Sequence, residues 1–465
     1  MSNTTTQPLI SENNESPQWK HTKLTKEVIT AQGNKIRLVD TDPENNIDLF
    51  CFVRCVDETD EVVKACRGVV VYDNKVIVQT YGYTGEFTPD DKSKLETMFP
   101  ATNTLTIQEA HEGSLLRVFS VNNKWYVTTH RKLDAFRSKW SSRQSFGEQF
   151  VEALESEYNN NPSFKERCDG GTTDGVDVFS LKENETVKNE IMAKFFSTLD
   201  DTKCYCFLVR NTAENRIVCQ KPERATVFHS GTFSTTDPDY FSLSDDVGIP
   251  TAKAHTFDSW DAITDYITND IYEDELQGLI VFDGKNHVKI FSKKYKHLFT
   301  VRGNEPSIKY RYLQIRMDKA MTDDLYSLYP TETETFEAYE NILYNVAKNI
   351  YTSYVSRFIK KQYVTLPKEE FQIMRECHSW HLADREKNRM SLRKVISIMN
   401  TQQPTNLNKM IRHVIQERTE TKATADAASI LAEMALSPTP GESTVDSTGE
   451  STVDSTVDSP VEITE

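Results

Sequence analysis

The densest reactive chemistry in this sequence is cationic. Between Lys285 and Arg316 nine basic residues (Lys285, Lys289, Lys293, Lys294, Lys296, Arg302, Lys309, Arg311, Arg316) stand against one acid, Glu305. Tyr295, Tyr310 and Tyr312 are interleaved with them. Ammonium and guanidinium groups neutralise phosphates, and aromatic rings stack on bases, so the pattern suits RNA or single-stranded nucleic acid. Lys293, Lys294, Lys296, Arg302, Lys309 and Arg311 are the candidate nucleic-acid contacts. The same run also reads as the solvated face of two strands and a linker. Arg131, Lys132, Arg137 and Lys139, with Trp140, form a smaller basic group. His378 and His381 stand i,i+3 beside Cys377, a spacing that could hold a metal on a helix. A packed Trp380 among polar neighbours explains it better, and no metal site is assigned. Eight scattered cysteines form no paired ligand spacing, so we expect reduced core thiols in a cytosolic-type compartment.

These side chains need a scaffold. Asp48–Arg54 and Gly68–Tyr72 are rich in β-branched and aromatic residues, and Asp73-Asn74 reads as a hairpin turn before Val76–Val78. Ser114–Phe119 and Lys124–Thr128 flank Val121-Asn122-Asn123 in the same way. Phe146–Tyr158 has one apolar face of helical spacing. Strand signals return at Cys204–Val209, Arg216–Cys219, Leu279–Phe282 and Val288–Phe291, with a helix-like Trp260–Tyr272 between. The mixture predicts an α+β body over residues 31–320 after a polar segment, 1–30. From 321 to 420 apolar residues recur at helical spacing, as in Ile342, Leu343, Val346, Ile350 and Tyr354, which predicts an all-α second domain.

The 465 residues carry 54 basic and 70 acidic side chains, a net of −16. Residues 421–465 hold nine acids against one lysine, so half of that excess sits in a tenth of the chain. We expect this Ser/Thr-rich tail to be disordered, after a short helix at Ala425–Leu436, and leave its protein partner unassigned. The body is then only mildly acidic, and basic patches can persist on it. No apolar run is long enough for a membrane helix. The first eighteen residues have no hydrophobic stretch, so we expect no secretory leader and a cytoplasmic protein.

Five ordered segments carry a further signal. They are Arg67-Gly68; Glu109-Ala110-His111-Glu112-Gly113-Ser114; Phe207-Leu208-Val209 with Asn215-Arg216-Ile217-Val218; Gln277-Gly278-Leu279-Ile280; and Val288-Lys289-Ile290-Phe291. Thr128-Thr129-His130-Arg131-Lys132 lies between the second and third. This order resembles the phage-type RNA ligases of the covalent nucleotidyltransferase superfamily, and also ligase-like proteins of large DNA viruses. The resemblance implies an ATP-grasp-like ligase body of antiparallel sheets, ATP and Mg2+ as cofactors, and a host-cytoplasm or virion location. It implies nucleotide-binding roles for Arg67, Glu112, Gly113, Thr128, Lys132, Arg216, Gln277 and Lys289.

The sequence departs from that pattern where a lysine amine would attack the α-phosphate. The lysine position is Ala110. The third-motif glutamate falls on Leu208 or Val209, the fourth-motif glutamate is Gln277, and the second fifth-motif lysine is Phe291. His111 reads as a packing residue, and Gln277 reads equally as an amide partner to backbone. We therefore assign no catalytic residue. The leading expectation is a degenerate ligase fold that binds RNA ends or a nucleotide. The alternatives are an active RNA ligase with a relocated nucleophile and a structural, scaffolding protein.

Overall fold

The computed structural model describes residues 22–180, 189–212, 218–271 and 275–436; side chains are described to residue 421. Arg216 and residues 437–465 therefore lie outside the described residues, as do positions 1–21 of the polar N-terminal segment. The chain divides into two compact units, Met1–Ala338 and Tyr339–Glu465.

The first unit is built on three sheets. Strands β1 (Ile36–Asp42), β2 (Ile47–Phe52), β3 (Arg67–Tyr72) and β4 (Lys75–Val78) form an antiparallel meander. The remaining strands are β5 (Gly85–Phe87), β6 (Thr106–Ala110), β7 (Ser114–Val121), β8 (Lys124–Thr128), β9 (Asp177–Val178), β10 (Lys203–Arg210), β11 (Thr226–Ser234), β12 (Phe241–Ser242), β13 (Ala254–His255), β14 (Gly278–Asp283) and β15 (Asn286–Phe291). They assemble as a six-stranded sheet, β12-β11-β10-β7-β8-β9, and a five-stranded sheet, β13-β6-β14-β15-β5. Both are antiparallel except at β8/β9 and β15/β5. The two expected hairpins form. Their turns are Asp73-Asn74 and Asn122-Asn123, all four residues at positive φ, the geometry that matches strand twist.

Alternation decides which face each strand buries. On β10, Tyr205, Phe207 and Val209 pack with Phe150, Phe164, Phe195 and Phe196 of the helices Phe146–Asn160, Pro162–Asp169 and Glu190–Ser197. Cys204 and Cys206 point the other way, toward Ile47, Leu49 and Val70 of the four-stranded sheet. Each fully buried Phe contributes about 1.5–3 kcal/mol, so these facing layers hold the body together. Ile107, Leu279, Val281, Val288 and Ile290 bury the outer face of the five-stranded sheet against Leu95 and Trp260. The body begins before residue 31: Leu24 and Ile29 are buried, the latter in the helix Lys26–Ala31.

The basic run differs from the strands-and-linker reading. Only Asn286–Phe291 is a strand; Lys293–Arg302 and Ile308–Ile315 are helices. Ser292 caps the first, its Oγ accepting from the Tyr295 amide at 3.1 Å. Helices continue through Lys319–Leu328 and Thr333–Tyr354. The second unit holds Lys368–Ala383, Leu392–Met399 and Pro404–Leu436, with Leu343, Ile350, Met374, Val395 and Ile411 buried. The expected segment 425–436 is the end of that last helix. The α+β class with a helical C-terminal region is thus observed.

Gly278 opens β14 between Ala110 of β6 and Phe291 of β15. Its φ is 152°, and a Cβ there would sit 1.9 Å from the Ile290 carbonyl oxygen. A backbone atom cannot swing aside as a side chain can. Gly278→Ala is expected to cost about 2–4 kcal/mol, read as a lower urea midpoint at unchanged slope.

Candidate functional site

The inner face of the five-stranded sheet brings together residues far apart in sequence. Across three strands Ala110, Gly278 and Phe291 form one row, and Gln108, Ile280 and Lys289 form the next. Lys289 in turn pairs with Glu86 of β5. Residues two apart on a strand share a face, so Ala110 and Lys289 look the same way. Thr106, Gln108 and Phe282, further along that face, line a cavity of about 730 Å³ with Phe241, Asp245 and Thr251.

A chain of hydrogen bonds runs through the site. Lys289 Nζ donates to Gln277 Oε1 at 2.8 Å. Gln277 Nε2 donates to the Tyr295 hydroxyl at 2.7 Å, and that hydroxyl donates to Glu112 Oε1 at 2.8 Å. The Glu112 carboxylate also accepts from the amides of Val218, at 3.0 Å, and Cys219, at 2.8 Å. Gln277 is fixed at its backbone too: its N–H donates to Ala110 O and its carbonyl accepts from Ser292 N–H. The amide is needed as an amide. One end accepts from a cation while the other donates to a hydroxyl whose own proton is already committed. A glutamate there would leave the Tyr295 oxygen facing an acceptor.

The electrostatics follow from burial. Lys289 is lowered from its ordinary value to about 8, first by desolvation and then by the Arg67 guanidinium, against the pull of Glu86 and Glu112. The side chain of Arg67, half-buried at the start of β3, makes no hydrogen bond or ion pair among the described residues, and burial lowers its pKa as well. His111 is held down to about 4, by burial and then by Arg210 and Lys289. Its ring stacks on Phe228 with centroids 4.7 Å apart, and its Nδ1 lies 3.4 Å from Arg210. Its Nε2 lies 3.6 Å from Glu109 Oε2. Burial and then the Glu112 carboxylate raise the Tyr295 phenol, so it stays a donor.

Of the residues carried over by resemblance, Glu112, Gln277 and Lys289 share this network, and Arg67 stands beside Lys289. Gly113 acts by size: a Cβ would lie 2.6 Å from Val209 O. Thr128 is fully buried, its hydroxyl on Arg117 O at 3.4 Å. Lys132 points to Asp40 at 3.8 Å on β1. The structure adds neither to the network. Val209 is buried in the helix-side core, while Leu208 lies on the opposite face of β10. Tyr295 is the residue that sequence reasoning misassigns. Its place in the basic run groups it with rings for base stacking, yet it is 1% exposed and joins Gln277 to Glu112. Tyr312 is likewise buried, stacked on Phe336.

The basic run is partly spent on the protein itself. Arg302 is buried, donating to Tyr329 Oη at 2.9 Å and to the Glu305 carbonyl. Arg311 donates to the carbonyls of Thr300 and Val301, closing the end of the helix Lys293–Arg302. Lys293 pairs with Asp90 at 2.7 Å, Lys296 with Glu86 at 3.1 Å and Lys309 with Glu332 at 3.9 Å. Lys293 and Lys294 are exposed. In the second unit the His378 ring stacks on Phe358 and His381 bonds the Asn388 carbonyl.

Among the described residues no three His, Cys, Asp or Glu side chains converge as metal ligands. The site agrees with this: Glu112 is occupied by three donors and Gln277 is neutral, so the residues present do not fit a protein-held Mg2+. No described helix is long and apolar enough to cross a membrane.

Comparison with known proteins gives two viral relatives. The chain is 27% identical over 386 residues to the immediate-early protein ICP-46 homolog of Invertebrate iridescent virus 6, covering 76% of this chain and 78% of that one. It is 26% identical over 393 residues to the namesake of Invertebrate iridescent virus 3, covering 80% of each. No family model matches. Among solved structures it is similar to a putative ATP-dependent DNA ligase from Aquifex aeolicus, with a TM-score of 0.36 and 13% identity over 76% of this chain and 86% of that chain. It is similar also to an archaeal ATP-dependent RNA ligase, with a TM-score of 0.36 and 10% identity over 68% and 70%.

Replacing the neutral partner of Lys289 by a charged one should restore its ordinary basicity. Gln277→Glu is expected to raise the pH midpoint of Lys289 acetylation, followed by peptide mass spectrometry, by about 1–3 units from its starting value near 8.

Proposed function

We propose that the first unit binds a nucleotide, in the class of ATP or a nucleotide end, on the inner face of its five-stranded sheet. The reading is supported by one observation above the others. Arg67, whose side chain makes no hydrogen bond or ion pair among the described residues, and Lys289, hydrogen-bonded there only to a neutral amide, place two adjacent cations in a half-buried site on which Glu86 and Glu112 act only at a distance. Such a pair is costly without an anion, and phosphate oxygens supply one. Further along the same face, Gln108 borders a cavity of about 730 Å³, a size that small ligands occupy, although neither Arg67 nor Lys289 lines it. The ligase resemblance of the five motifs agrees with a nucleotide in this position. Ala110 carries no nucleophile, so a bond of the usual kind at that position is absent from the reading. Any Mg2+ arrives as the nucleotide's own counter-ion.

RNA is the second part of the reading. The helix that supplies Tyr295 also exposes Lys293 and Lys294 within the same short segment. The Lys293–Asp90 ion pair is a surface contact that a phosphate can replace at little cost. The viral relatives support synthesis early in infection and a place in the host cytoplasm or virion.

Two measurements test these statements. Arg67→Ala is expected to weaken ATP binding by roughly 10–100-fold in calorimetry, the worth of one charge-assisted hydrogen bond, with the fold intact by circular dichroism. Binding of a 5′-phosphorylated RNA oligonucleotide is expected to weaken with salt. Replacing Lys293 and Lys294 together by Ala should reduce the slope of log K against log salt by about 0.7 for each phosphate that is no longer neutralised. A salt-independent affinity would instead support a protein-scaffolding role.

A further inference from the structure

A second cavity, of about 190 Å³, lies in the first unit apart from the network around Lys289. Strand β5 takes part in both. Its Glu86 pairs with Lys289, whereas Gly85 and Phe87 on either side of it line the cavity. The floor is apolar. Phe87, Phe99 and Val288 are buried there, and Met98 closes it at the end of the helix Lys92–Met98. It is also fixed in place: Trp260 Nε1 donates to the Phe99 carbonyl at 2.8 Å, and Phe87, Phe99 and Val288 belong to the packed layer outside the sheet. Two aromatic rings and a thioether favour a flat aromatic guest.

The charges around the cavity do not cancel. Lys64, Lys94 and Lys285 line it together with Asp57 and Glu61. Lys64 pairs with Glu61 at 2.8 Å and Lys94 with Asp57 at 3.6 Å. Lys285 makes no ion pair among the described residues. Its ammonium donates to the Pro238 carbonyl, and Asp237 and Asp239 act on it only at a distance. It is half-buried, and desolvation lowers its pKa. A cation in that position gains from one negative charge brought to it. A second negative charge on the same guest would meet Asp57 and Glu61, and like charges brought together are costly.

We infer that this cavity binds a small aromatic monocarboxylic acid, its ring against Phe87, Met98 and Phe99 and its carboxylate on Lys285. The site is independent of the nucleotide reading above.

The test titrates the full chain with naphthalene-2-carboxylate and with 2-naphthamide, its uncharged counterpart of the same shape, in calorimetry at neutral pH. The acid is expected to bind one to one and about 10–100-fold more tightly than the amide, the worth of a charge-assisted hydrogen bond. Lys285→Met should bring that ratio close to one while the amide binds as before. The carbon-13-labelled Met98 methyl, assigned with Met98→Leu, should shift as the ring stacks beside it. No binding of the acid overturns the inference. So does equal affinity for acid and amide in the unaltered protein, a ratio that survives Lys285→Met, or a Met98 signal that does not move.

Discussion

The polarity of one side-chain amide organises this site. Gln277 must accept from Lys289 and donate to Tyr295, and the Tyr295 proton must then go to Glu112. Reversing any member would set two donors or two acceptors against each other in a dry environment, where an unmade hydrogen bond is costly. The consequences spread outward. Glu112 ends the chain and anchors the Val218 and Cys219 amides. Tyr295 brings the first turn of its helix down onto the sheet. Lys289 is left with a neutral partner and so with a weakened hold on its proton.

The sheets make that arrangement achievable. Gly278 lets β14 pass close against the Ile290 carbonyl, where any side chain would collide. The outer face of the same sheet is closed by Leu279, Val281 and Ile290 against the helices. One face is therefore packed against helices, and the other carries Ala110, Gln108 and Lys289. Arg117 plays a comparable role beside it. It is buried, and its guanidinium donates to the carbonyls of Gly68 and Thr129, tying β3 to the strand that follows β7.

The body's framework is legible in the sequence where the signal is local. Asp73-Asn74 and Asn122-Asn123 announce their turns, and the alternation of β10 announces its two buried faces. The motif order brings Glu112, Gln277 and Lys289 to one place although nearly 180 residues separate the first from the last. What escapes is decided by tertiary partners. Tyr295 and Arg302 resemble exposed nucleic-acid contacts until Glu112 and Tyr329 are seen to claim them. The helix Lys293–Arg302 is hidden because its charges and aromatic residues follow a strand without a break in composition. Helical periodicity becomes clear after residue 320, whereas the two compact units meet at Ala338/Tyr339.

The proton on Lys289 has a thermodynamic consequence for whatever enters. With its affinity depressed to about 8, the amine is incompletely protonated in mildly alkaline solution. An arriving anion favours the charged form and draws a proton from the buffer as it settles. The heat released on complex formation will then include the ionisation enthalpy of the buffer. Two buffers at one pH should return different apparent enthalpies for a single affinity.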